Sequence, residues 1–366
     1  MPGRPSSAVL DTLLANPNRI DRRALDGVEP VTLLRAAADE HVVPLAARAL
    51  QAVAPAGAHA RLMHAEAAAW TLREAAEREA IRGFLDAAGG VPLLFFKGAS
   101  TAYSVYDSPS LRMKEDWDVL SAPGGEGAAT QALLRAGFHL DPASKPGRVR
   151  MRQQTYHRDV SGSQAIVDLH MRALNPPALA ERIRFSDLDA RSVALPALHA
   201  GARGLRDDAA LVLACVHRLA HHSGEPRLAW DWDVLLLMRR ATEDTAGDVT
   251  ALAREWGAGR FVADEVRRVA SRFEEPVPDA LRHAVDALDR DPARDAGFAR
   301  ANRTRAREFA LDWRVLGWRD RAALVRETLT PDAAFLRAST GSRLPLPWLY
   351  VTRIVRGARA WLRRVP

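Results

Sequence analysis

Leu94-Phe95-Phe96-Lys97-Gly98-Ala99-Ser100 is the stretch on which the fold turns. Its apolar run, which begins near Pro92, reads as a buried strand breaking into a glycine turn. Eighteen residues beyond Gly98 come Asp116-Trp117-Asp118-Val119-Leu120, and later Ile166-Val167-Asp168-Leu169-His170. Both read as apolar strands that carry acids. Side chains alternate between the two faces of a strand. Asp116 and Asp118 therefore share a face opposite Trp117, and Asp168 and His170 share a face opposite Val167 and Leu169. If the two strands are neighbours, three oxygen donors meet at one spot, which suits Mg²⁺ and a nucleoside triphosphate.

Working outward, residues 8–88 read helical. Short core helices are expected over Thr32–Ala38 and Val43–Leu50, and a long one over Met63–Ala88, closed by Gly89-Gly90. Residues 91–175 change character. Beyond the two acidic strands they hold a helix over Ala128–Ala136 and a hairpin, Gln153–Val160 to Gln164–Leu169, through Ser161-Gly162-Ser163. This is α+β: a small mixed sheet between mainly helical N- and C-terminal segments. The expected organisation is a helical segment over 1–90, the sheet core over 91–175 and a connector over 176–204. A helical domain over 205–339 and a basic tail over 340–366 complete it.

Composition sets the remaining bounds. The hydrophobic share of 48% and charged share of 27% are those of an ordinary soluble protein, and 366 residues give room for two or three packed units. One cysteine, Cys215, excludes an intrachain disulfide and a Cys-based zinc site. No apolar signal core follows Met1 and no run reaches membrane-spanning length, so a cytoplasmic location is the expectation. The net charge of +7 belongs to the tail, where six arginines from Arg343 to Arg364 face no acid. The rest of the chain is nearly neutral, so the high pI does not mark a nucleic-acid-binding body. Only three lysines occur, and Lys97 and Lys114 fall in the proposed active block, with Lys145 outside it. A compact ammonium fits where a forked guanidinium would not.

Lys97-Gly98-Ala99, Tyr106, Leu111-Arg112, Asp116-x-Asp118 and Val167-Asp168-Leu169-His170 resemble the uncharacterised nucleotidyltransferase family, within the DNA-polymerase-β-like superfamily. The resemblance extends to Ala38–Leu50 upstream and to His217, Arg227-Leu228, Trp230 and Asp233–Leu236 downstream, roughly residues 30–240. It implies Mg²⁺-dependent transfer of a nucleotidyl group from a nucleoside triphosphate, with Mn²⁺ as a substitute metal. Asp116, Asp118 and Asp168 would be the metal ligands and the catalytic set. Lys97, Gly98, Ala99, Arg112 and His170 would contact the nucleotide. The acceptor stays open between a small molecule, a sugar, a peptide, a protein side chain and an RNA end. The alternative is a catalytically inactive relative that binds nucleotide or a partner through the same cleft. Two departures stand out: Trp117 replaces a small aliphatic residue, and Lys114-Glu115 replaces an uncharged pair.

Other patterns weigh less. His217 and His221 have the helical spacing of a metal pair, but packing beneath the Trp230 helix accounts for them better. Arg112 has Glu115 or Asp116 as local partners. Ser100 lacks the Gly-x-Ser-x-Gly setting of a serine hydrolase. The tail from Pro345 has the makings of a basic amphipathic helix, with weak contact to a membrane surface or an anionic partner as its expected role.

Overall fold

A computed structural model describes residues 5–16, 25, 27–142, 144, 147–149, 152–222, 225–290, 305–331, 333–342 and 344–361. Its centre is a five-stranded mixed sheet of β1 (Leu93–Phe95), β2 (Trp117–Ser121), β3 (His139–Leu140), β4 (Gln153–Val160) and β5 (Ser163–His170). The spatial order is β1-β2-β5-β4-β3. Only β2 and β5 run parallel; the other neighbours are antiparallel. The β4–β5 hairpin closes through Ser161 and Gly162, both at positive φ, the two-residue turn whose twist matches its strands.

Each face of the sheet has its own core, because the strands alternate. Trp117, Val119, Tyr156, Val167 and Leu169 pack with Ile81, Phe84 and Leu85 of the long helix Ala58–Ala88, and with Ala129 and Leu133 of the helix Glu126–Arg135. The long helix ends at Gly89, whose left-handed backbone (φ 56°) returns its N–H to Leu85. Leu94, Phe96 and Leu120 face the other way, into a larger core built from the helical segments on both sides of the sheet in sequence. That core includes the helices Val43–Val53, Asp207–His222, Leu228–Arg239 and Gly259–Arg272.

The stretch expected as a polar connector is more structured than its sequence suggests. It contains a small hairpin of β6 (Ser192–Ala194) and β7 (Arg203–Leu205). β7 is tied to the helix Lys97–Ser104 by the Leu205 N–H, which donates to Ser100 Oγ at 2.8 Å. Gly204 is required there, since a Cβ would lie 2.5 Å from that oxygen. Helices continue through Ala333–Thr340 and, in the tail, through Leu346–Trp361. No helix among the described residues is long and apolar enough to cross a membrane.

Candidate functional site

The parallel pairing of β2 with β5 sets Asp118 beside Asp168 and Leu120 beside His170. The antiparallel pairing of β4 adds Thr155 opposite Asp168 and Gln153 opposite His170. The acidic side chains therefore project from one face, near the C-terminal end of β5. Asp118, Asp168 and His170 each offer a ligand atom within 4.8 Å of the others. Asp116 lies just before β2, half-buried on the same cleft but outside this tight group.

Asp118 Oδ1 and both carboxylate oxygens of Asp168 are already engaged. Asp118 Oδ1 accepts from Lys97 Nζ at 2.6 Å and from His170 Nε2 at 2.9 Å. Asp168 accepts from Thr155 Oγ1 at 2.6 Å and from Gln153 Nε2 at 2.7 Å. With the Nε2 proton on Asp118, His170 keeps Nδ1 as a buried acceptor with no hydrogen-bond partner, its ring edge-on to Phe96. The electrostatics separate the acids. Burial opposes ionisation of Asp118, but the Lys97 ammonium and the His170 hydrogen bond outweigh it and hold the carboxyl well below its usual range. Burial raises Asp168, against the Thr155 hydrogen bond. Burial, then repulsion from Asp118 and Asp168, pushes Asp116 up to about 8.

Lys97 is the first residue of the helix Lys97–Ser104 and sits at φ 53°, a left-handed conformation that a lysine rarely adopts. The strained residue at the turn is thus the lysine rather than the glycine. Gly98 has a different reason. A Cβ there would lie 3.1 Å from the Arg112 guanidinium, which packs against its backbone. Arg112 in turn is committed far from its local acids. Its Nε and Nη2 donate to Asp233 at 2.8 Å each, and Nη1 donates to the Met113 carbonyl. Thr101 and Tyr106 donate to the same carboxylate. Ala99 is buried in the core with Phe95 and Trp117 and does not reach the cleft.

Behind β2 the two sequence departures fit together. Trp117 is fully buried, edge-on to Phe95, and donates Nε1–H to Glu77 at 3.1 Å. Lys114 lies 4.0 Å from the centre of that indole and 3.8 Å from Glu74, while Tyr103 donates to Glu74. Burial brings the Lys114 ammonium down to about 8, against the pull of Glu74 and Glu77. Lys114 thus serves buried acids of the long helix rather than Glu115. Glu115 points to His41 (3.0 Å) and Arg227 (3.7 Å).

Lys97, Arg112, Lys114, Asp116, Asp118 and Asp168 line one cleft of about 240 Å³ between the sheet and the helices Asp207–His222 and Leu228–Arg239. The far wall adds Ala210, Leu213, His217, Arg227 and Trp230. His217 stands edge-on to Trp230, with ring centres 5.7 Å apart, as the packing explanation expected. The side chain of His221 lies outside the described residues. Thr155, Gln153, His41 and Asp233 were not singled out from the sequence as parts of the site. Thr155 and Gln153 were readable in principle, since they alternate on a strand paired with the acidic one. The other two are joined to the cleft only by tertiary packing.

A family model described as an uncharacterised nucleotidyltransferase matches residues 26–274, about two-thirds of the chain. No curated protein and no solved structure matches.

Proposed function

The chain belongs to the uncharacterised nucleotidyltransferase family, and from that premise we propose that it transfers a nucleotidyl group from a nucleoside triphosphate to an acceptor hydroxyl. The observation that carries this reading is the register of β2 and β5, which sets Asp118 and Asp168 side by side with His170. The site fits a hard divalent cation, Mg²⁺ or Mn²⁺. Two adjacent carboxylates supply oxygen donors, and Asp118 already holds a cation, the Lys97 ammonium, at 2.6 Å. Asp118 and Asp168 would hold the metal, with Asp116 joining as it gives up its proton. A bound divalent ion supplies neutralisation of the charge that builds on the attacking and leaving oxygens.

The chain's own groups do the rest. Thr155 and Gln153 fix the rotamer of Asp168. His170 orients Asp118. Lys97, released from Asp118, meets the phosphates. The acceptor oxygen bonds to the α-phosphorus as the α–β phosphoanhydride bond breaks. Pyrophosphate leaves, and the hydroxyl proton passes to Asp168. In this scheme residues 91–175 perform the chemistry, while 1–90 and 205–339 close the cleft; the tail over 340–366 stands apart. That tail carries an exposed apolar stripe of Leu344, Trp348, Val351 and Val355, and its sequence has basic but no acidic residues. It suits an anionic lipid surface. Binding to phosphatidylglycerol vesicles that persists unchanged in Trp348→Glu would dismiss that role.

The direct test incubates the protein with each labelled ribonucleoside triphosphate and Mg²⁺, and follows pyrophosphate release and labelled product. Asp118→Asn should abolish transfer with the melting temperature little changed; transfer retained in that variant would sink the assignment. One observation favours the second reading, nucleotide or partner binding without turnover: the Lys97 ammonium already neutralises Asp118. Nucleotide binding with no pyrophosphate released over a broad acceptor set would support it.

A further inference from the structure

Four cationic side chains line the cleft, together with the imidazoles of His41 and His217. Two of the cations are buried, and the Lys114 Nζ has no hydrogen-bond partner among the described residues. Arg112 and Asp233 form a buried pair, 5% and 7% exposed, and Lys114 is buried against Glu74. Lys97 is held by Asp118. Arg227 and His41 differ, because their common partner is Glu115, whose side chain is 68% exposed. Glu115 is the only exposed residue in the lining. An exposed pair of this kind is worth little and is readily broken.

The two donors are nonetheless built in place. Arg227 immediately precedes the helix Leu228–Arg239 and lies 4.7 Å over the Trp230 ring, which fixes its planar fork. His41 is at φ 57°, one of four described non-glycine residues at positive φ, and Lys97 on the opposite side of the cleft is another. For His41 this backbone is the cap of the helix Pro30–Asp39, with His41 N–H donating to the Ala38 carbonyl at 3.0 Å and Val42 N–H to the Ala37 carbonyl at 2.8 Å, so the helix end fixes where the ring sits. The neighbouring Glu40 joins the two, since its side chain accepts from Leu228 N–H at 2.6 Å and its carbonyl from Ala229 N–H at 3.2 Å. The cleft also falls short of the roughly 300 Å³ at which ligand pockets begin. Glu115, with its side chain 68% exposed, is the lining group whose departure would widen the cleft.

We propose that Arg227 and His41 form the seat for the terminal phosphates of the nucleotide, and that Glu115 occupies it until a polyphosphate displaces it. This rests on the nucleotidyl-transfer reading for the identity of its ligand, but not for its test. A guanidinium fork matches phosphate oxygens bidentately, and a tail of several negative charges outcompetes one exposed carboxylate. The seat explains why the lining acid nearest these donors is an exposed glutamate while the acids at the sheet are locked by hydrogen bonds.

The experiment titrates inorganic tripolyphosphate with Mg²⁺ into the full chain by calorimetry, and monitors Mn²⁺ binding separately by electron paramagnetic resonance. Arg227→Met, which keeps the packing on Trp230, should weaken tripolyphosphate binding about tenfold or more, the worth of a charge-assisted hydrogen bond. Arg227→Lys should recover part of the loss, and His41→Gln should weaken binding more modestly. Glu115→Gln should tighten it. Mn²⁺ binding should be unchanged in the Arg227 and His41 variants, which also verifies folding. No binding by the parent protein, binding within twofold in Arg227→Met, or weaker binding in Glu115→Gln would each overturn the seat. The outcomes separate the two claims. Arg227-dependent tripolyphosphate binding without nucleotidyl transfer upholds the seat and removes the function. Transfer with Arg227-independent binding does the reverse.

Discussion

Lys97 concentrates the residue-scale argument. Its backbone is strained, its side chain is only 14% exposed, and it contacts the carboxylate that a metal would need. The lysine and the metal therefore compete for Asp118. Lys97→Met should tighten Mn²⁺ binding to the nucleotide-free protein while lowering transfer, as read by paramagnetic resonance and pyrophosphate release. Weaker Mn²⁺ binding in that variant would refute the competition. Asp116 makes a second claim. In the metal-free fold it keeps its proton up to about 8, whereas in the unfolded chain it loses it near about 4. Across that window the native state binds the extra proton, so stability falls as pH rises. Asp168, also raised, adds in the same direction. Asp118 is depressed and acts oppositely, but only below about 4, where its unfolded counterpart takes up a proton. Melting temperatures in chelator from pH 5 to 8 should decline, and Asp116→Asn should flatten the decline by at most one proton's slope, about 1.4 kcal/mol per pH unit.

At the scale of elements, the turn after β1 explains what was legible. The strands over 93–95, 117–121 and 153–170 could be read because apolar runs and two-residue alternation are local signals. The convergence of Asp118 and Asp168 followed from strand parity once the two strands were paired. The turn expected at Gly98 comes one residue earlier, because the positive φ belongs to Lys97 and the helix already starts there. The reason for Gly98 was hidden too, since it lies in Arg112, whose partner Asp233 is 121 residues farther on. β7 escaped notice because a three-residue strand carries no measurable period. Gly98→Ala provides the check. Alanine ordinarily favours a helix, but here the pinned guanidinium cannot retreat, so thermal denaturation should show a loss of about 1–3 kcal/mol. A gain in stability would mean that Arg112 moves freely.

For the molecule as a whole, the Arg112–Asp233 pair ties the sheet core to the C-terminal helices beneath the cleft. Removing one member of a buried pair strands the other charge, at a cost of about 3–5 kcal/mol. Asp233→Ala should therefore lower the denaturation midpoint sharply, and a midpoint within error of the parent would show the tie to be dispensable. The same architecture explains why His41 and Arg227 could not be assigned from sequence. They come from segments nearly two hundred residues apart, and only the packing of two helical segments against one sheet face brings them together.

Trp117 has a consequence for how this protein can vary. Its indole is bonded to Glu77 and covered by Lys114, which in turn answers Glu74, so the four positions form one unit. A library randomised at Trp117 alone should return almost nothing but tryptophan. One randomised jointly at 74, 77, 114 and 117 should recover wholly aliphatic quartets, because the acids, the ammonium and the ring are each tolerable only in company.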